Sequence, residues 1–149
     1  MKKQTKQLVI FALAILLVIG WAFWPRSLEK RILKRDTAAD FSAVEQFNVR
    51  WTPPNAVEDY AADAYPTWTL DEELTQPILD ILRKATVNRP TGDTRLLIGE
   101  EGIYDLSTWG FHLSVTQQGE IQVWNTVYRL DRKSFDALWA ILIESNPVQ

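Results

Sequence analysis

The chain has 149 residues, no cysteine and a single histidine. This length predicts one domain, and the missing thiols exclude a disulfide framework, thiolate zinc sites and a cysteine nucleophile. The net charge of −3 conceals an asymmetry: residues 1–35 hold eight Lys and Arg against Glu29, a net +7, while residues 36–149 hold eight basic and eighteen acidic side chains, a net −10. So acidic a body argues against nucleic acid as a partner, because phosphates demand a positive surface.

Residues 8–24, LVIFALAILLVIGWAFW, run for seventeen positions without a charge. A hydrocarbon core of about 30 Å asks for about 20 apolar residues, with about 17 as the lower limit. Trp21 and Trp24 stand at the end of the run, where indole rings favour the membrane interface. A cleaved signal peptide would carry a shorter apolar stretch, about 7–15 residues, ending in small side chains; this one ends in bulky WAFWP. The expectation is a basic N-terminus and retained signal anchor over residues 1–24, a single transmembrane helix that meets the lipid bilayer through residues 8–24. Residues 25–40 read as a basic juxtamembrane helix or linker, with Leu28, Ile32 and Leu33 suited to lie at the headgroups. Residues 41–149 form the compact domain. Charge leaves the orientation open. Five Lys and Arg follow the span and three precede it, which favours an inside C-terminus, whereas the short basic start is that of a signal anchor.

In the body, Val44, Phe47, Val49 and Trp51 fall within an alternating stretch, 41–52, that predicts a half-buried strand. Pro53-Pro54 ends it. Residues 53–66 are a loop carrying Glu58, Asp59, Tyr60, Asp63 and Tyr65, whose length makes it either functional or floppy. A short strand is expected at 67–70. Thr69 and Glu72 have capping-box spacing, and Leu74, Ile78, Ile81, Leu82 and Ala85 make one helical stripe. Pro77 interrupts it, so the helix either begins near Thr75 or is kinked. After a turn-rich link at 88–94, strands are expected at 96–98, 103–107, 110–116, 120–124 and 127–130. Gln117-Gln118-Gly119 connects two of them tightly, and Asn125-Thr126 is the expected turn of a second hairpin. Phe111, Leu113 and Val115 define a dry face, with His112, Ser114 and Thr116 opposite. Asp131 caps a last helix whose stripe is Phe135, Leu138, Trp139 and Leu142. The predicted fold class is α+β: an N-terminal transmembrane helix, then a small domain with an antiparallel sheet of four to six strands and two helices packed on one face.

Catalytic signals are weak. His112 is the only histidine, and no G-x-S-x-G presents a serine to it. Glu58, Asp59 and Asp63 offer hard oxygens but lack the alternating pattern of a calcium loop. No catalytic, metal-binding or cofactor-binding residue is expected, and the body reads as a non-enzyme. A carboxylate-dependent hydrolase is the alternative, since eighteen acids can place some pair at working distance. The tryptophans say more. Trp139 belongs to a core stripe. Trp109 precedes Gly110 in a turn, and Trp124 departs from the inward alternation of Ile121 and Val123. Exposed indoles favour protein or sugar contacts, so the candidate partner-binding residues are Trp109, Trp124, Tyr60 and Asp59.

Pro25-Arg26-Ser27-Leu28 after the span, Asp40-Phe41-Ser42 before the first strand, Trp68-Thr69-Leu70 before the helix and Tyr128-Arg129-Leu130-Asp131 before the last helix form a pattern. In it the chain resembles small single-pass, membrane-anchored extracytoplasmic proteins of Gram-positive bacteria, a group to which no activity is attached. The resemblance implies a domain at the outer face of the plasma membrane and brings no functional residue with it. The expected function is a non-enzymatic binding or interaction module there, meeting an envelope protein or the cell-wall polymer. The alternatives are a hydrolase of an envelope substrate and a cytoplasmic-facing accessory subunit of a membrane protein.

Overall fold

A computed structural model describes residues 2–30, 41–54, 65–88, 100–110 and 112–148. The chain opens with helix α1, Lys2–Phe23. Its described side chains, those of residues 5–21, are all exposed. Among the described residues no helix is long and apolar enough to cross a membrane. Only Trp24 and Pro25 separate α1 from strand β1, Arg26–Ser27.

The body is an α+β fold around one hydrophobic core. Among the described residues six antiparallel strands form its sheet: β2 (Asn48–Thr52), β3 (Thr67–Thr69), β5 (Ile103–Ser107), β6 (His112–Thr116), β7 (Glu120–Val123) and β8 (Thr126–Arg129), in the spatial order β3-β2-β5-β6-β7-β8. Helix α2 spans Glu72–Lys84 and helix α3 Arg132–Glu144. A separate two-stranded ribbon pairs β1 with β4, Thr86–Val87.

Register explains the two faces. Val49, Leu106, Leu113 and Val123 pair in one row, and Trp51, Tyr104, Val115, Ile121 and Tyr128 in the next. Both rows enter the same core cluster as Ile78, Leu79 and Leu82 of α2 and Phe135, Leu138, Trp139 and Leu142 of α3. The amphipathic stripes of both helices therefore cover one sheet face. The Tyr104 ring meets Trp139 edge-on at 5.2 Å, a favoured aromatic geometry, and its hydroxyl accepts a hydrogen bond from Asn146 Nδ2.

Several local expectations are corrected. The stretch 41–52 is not one strand: Phe41–Ala43 is a 3-10 turn and the strand begins at Asn48. Helix α2 starts at Glu72 rather than near Thr75, because Asp71 is its N-cap and accepts from Leu74 N–H; Pro77 is carried inside it on an exposed position. The last hairpin turns at Trp124-Asn125, since Val123 already pairs with Thr126. Gly102 is held at φ +80°, and a Cβ there would lie 2.2 Å from the Thr52 carbonyl oxygen, so glycine alone lets β5 start beside β2. The strand expected at 96–98 and the residues Ile32, Leu33 and Phe111 fall outside the described residues.

Leu28 is the largest departure. It is fully buried in the core, and its N–H donates to the Ala85 carbonyl at 3.0 Å. Residues 26–28 therefore belong to the folded body, upstream of the boundary expected at 41, and Leu28 faces the core and not lipid headgroups.

Candidate functional site

The sheet face opposite the helices carries polar rows. One row runs Thr67, Arg50, Asp105, Ser114, Gln122 and Val127 across all six strands; the row above it is Asn48, Ser107 and His112. Asp105 is the hub. Its carboxylate Oδ2 accepts from Arg50 Nη2 at 2.8 Å and from Nε at 3.2 Å. Its Oδ1 accepts a short hydrogen bond from Ser114 Oγ, and His112 Nε2 stands 3.6 Å from the same oxygen. Asp105 and Ser114 are buried, while His112 is open to solvent. A carboxylate can be buried here because both oxygens are engaged by partners. Asn48, Arg50, Thr67, Asp105, Ser107 and His112 line a cleft of about 350 Å³.

Serine, histidine and aspartate thus meet, but not in catalytic order. A nucleophilic serine needs the imidazole between itself and the carboxylate. Here the serine hydroxyl donates directly to Asp105, and the imidazole approaches that carboxylate alongside it. The arrangement orients Arg50 and presents hydrogen-bonding groups rather than activating a nucleophile.

The two exposed tryptophans sit at the same end of the sheet. Trp109 is in the β5–β6 connection, two positions after Ser107, the last residue of β5 and one that lines the cleft. It is 104% exposed, so no described atom shields it. Trp124 is in the β7–β8 turn, one position beyond the Leu113–Val123 pair, and so in register beside His112. It is 45% exposed and adopts φ 56°. A bulky residue in the left-handed region carries a steric cost that glycine avoids. Such strain gathers where function holds it. Trp51 and Trp68 pack partly buried against the core, and Trp139 is buried in it. Tyr60 and Asp59 lie outside the described residues.

A second depression, about 380 Å³, lies between α2 and α3 and includes Asp80, Lys84, Thr86, Asp131 and Lys133. It has the two carboxylates a hydrolase would need, but Asp131 is committed. Its Oδ1 accepts from Ser134 N–H at 3.0 Å and its Oδ2 from Thr86 N–H at 2.8 Å. Burial alone would push its pKa up, yet the hydrogen bonds from Thr86 and Ser134 outweigh that and hold it below the ordinary carboxylate value. A group so stabilised as the anion makes a poor general acid.

Sequence reasoning missed Arg50 and Asp105. The available signal was one charge of each sign in the middle of otherwise half-buried strands, which only pairing makes tolerable. Comparison with protein-family models, with curated proteins and with solved structures finds no match for this chain.

Proposed function

We propose that the chain is a membrane-anchored, non-enzymatic binding module that presents the Trp109–Trp124 end of its sheet to a hydroxyl-rich polymer of the bacterial cell wall, at the outer face of the plasma membrane. The observation that carries this is a fully exposed indole two positions beyond Ser107, a residue that lines the polar cleft. An indole face covers the apolar side of a sugar ring, and the amide, hydroxyl, imidazole and guanidinium groups of Asn48, Ser107, His112 and Arg50 suit its hydroxyls. An envelope protein is the competing partner, since exposed tryptophans also anchor protein interfaces.

The anchor is part of the proposal. What supports it is the uncharged run of residues 8–24, within which α1 exposes Leu8, Ile10, Phe11, Leu16, Leu17 and Trp21. Such a helix has no water-facing stripe, and a bilayer supplies the solvent it lacks. The orientation rests on the resemblance to extracytoplasmic proteins alone.

Titrating the full-length chain in detergent with soluble wall-glycan fragments tests the reading through intrinsic tryptophan fluorescence. A saturable shift is expected. Trp109→Ala should weaken it by about tenfold or more, since truncating a hot-spot tryptophan costs on the order of 2 kcal/mol. Binding that ignores Trp109→Ala, or no binding, would sink the proposal, and shortened fragments would replace it with the hydrolase.

A further inference from the structure

The opposite end of the sheet has its own chemistry. Apart from Arg50, every described Lys and Arg of the body falls in four short segments. Arg26 and Lys30 follow α1, and Arg83 and Lys84 end α2. Arg129 ends β8, and Arg132 and Lys133 open α3. These segments meet at β4. Ser27 pairs with Thr86, Asn88 N–H donates to the Arg129 carbonyl at 3.0 Å, and Asp131 N–H donates to the Thr86 carbonyl at 2.9 Å. Helix α1 arrives at this corner, and the Arg26 guanidinium lies 5.1 Å over the Trp21 ring.

The charge is graded across the body. The corner also holds Glu29, Asp80, Glu120, Asp131 and Asp136, so its seven cations and five acids leave +2. The remaining described residues of the body carry eight acids against Arg50, a net −7; of these Glu100 and Glu101 precede Ile103, in the row that runs through Thr116 and Glu120 to Arg129, and so share the corner's end of the sheet. Arg83 and Arg132 pair with Asp80 and Asp136. Lys30, Lys84, Arg129 and Lys133 are exposed and have no ion-pair partner among the described residues.

We propose that this corner docks on an anionic lipid surface and holds the body with its tryptophan end turned away from the bilayer. The inference rests on the anchor reading. A basic side chain is drawn to such a surface by its negative potential. The field fades over a Debye length of about 8–10 Å, and a five-residue strand spans about 16 Å. The acids at the tryptophan end, Glu45 before β2 and Asp71, Glu72 and Glu73 after β3, thus escape the repulsion that the corner converts into attraction. With two residues between α1 and β1, the corner has no slack with which to leave the headgroups.

The chain has no cysteine, so single labels are unambiguous. Full-length Ala137→Cys and Asn125→Cys proteins, each carrying a dye, would be placed in nanodiscs containing a lipid with a quencher on its headgroup. In discs one third phosphatidylglycerol, the label at 137 should be quenched and that at 125 should not. Quenching at 137 should be lost in pure phosphatidylcholine, at high salt and in the combined Lys84→Gln, Arg129→Gln, Lys133→Gln variant, whose folding circular dichroism would verify. Equal quenching at 137 in both lipids, or none in either while the protein stays in the disc, would overturn the docking. So would release by inorganic phosphate beyond that by chloride of equal ionic strength, which would indicate a small-anion pocket. Protein that leaves phosphatidylcholine discs but is held and quenched at 137 in anionic ones would remove the anchor and keep the docking.

Discussion

At the scale of single residues, Trp124 sets stability against recognition. Its φ of 56° occupies the first position of a two-residue hairpin turn, where glycine is favoured. Trp124→Gly should therefore raise stability, by about 0.5–1 kcal/mol, the scale of relieving a bulky residue from the left-handed region, while weakening glycan binding. Chemical denaturation and the fluorescence titration measure the two effects, and a destabilised variant would show that the indole contributes packing instead. Exposure of Trp109 and Trp124 was legible in the sequence, because one precedes a glycine and the other breaks an alternation. The Arg50–Asp105–Ser114 cluster was not legible. Its members are separated by 55 residues between Arg50 and Asp105 and by 9 between Asp105 and Ser114, and only strand register brings them onto one row.

At the scale of elements, Asp131 joins two of them. It caps α3 through Ser134 N–H and holds β4 through Thr86 N–H. Asp131→Ala should cost about 1–2 kcal/mol near neutral pH, the upper range for a lost cap because a second donor is orphaned. The pH dependence follows from the depressed native pKa of this group. An unfolded Asp titrates near 3.9, so below about pH 4 protons bind the unfolded chain first. The stabilisation is complete above that pH and disappears as pH falls through the native value. Thermal unfolding of wild type and Asp131→Asn should therefore differ most at neutral pH and converge in acid. A gap independent of pH would mean the carboxylate's charge is not what matters. The cap itself was readable from the aspartate before an apolar stripe. Its second role was not, because nothing local links residue 131 to residue 86.

At the scale of the whole molecule, the junction between α1 and the body decides how the domain is held. Leu28 is fully buried and β1 closes on β4. Leu28→Ala should cost about 2–5 kcal/mol. A chain begun at residue 41 leaves the Leu28 site empty and the Ala85 carbonyl without its donor, so it should lack the cooperative unfolding of a chain begun at residue 25. Near-UV circular dichroism of the two decides it, and equal cooperativity would return residues 25–40 to the role of a linker.

The amino-acid sequence by itself determined the things that depend on neighbours in the chain. These are the apolar run of α1, the two amphipathic helices, the alternating strands of the meander, the tight turn at Gly119 and the absence of thiol chemistry. Each follows from periodicity or from the conformational limits of one or two residues. The tertiary structure decided what depends on distant segments meeting. Pairing of β1 with β4 drew Leu28 into the core, register gathered Arg50, Asp105, Ser114 and His112 beside the exposed tryptophans, and the convergence of four segments on β4 collected the basic side chains at the end where α1 arrives. Local propensity cannot encode such contacts, because the free energy that selects them comes from burying and pairing groups tens of residues apart.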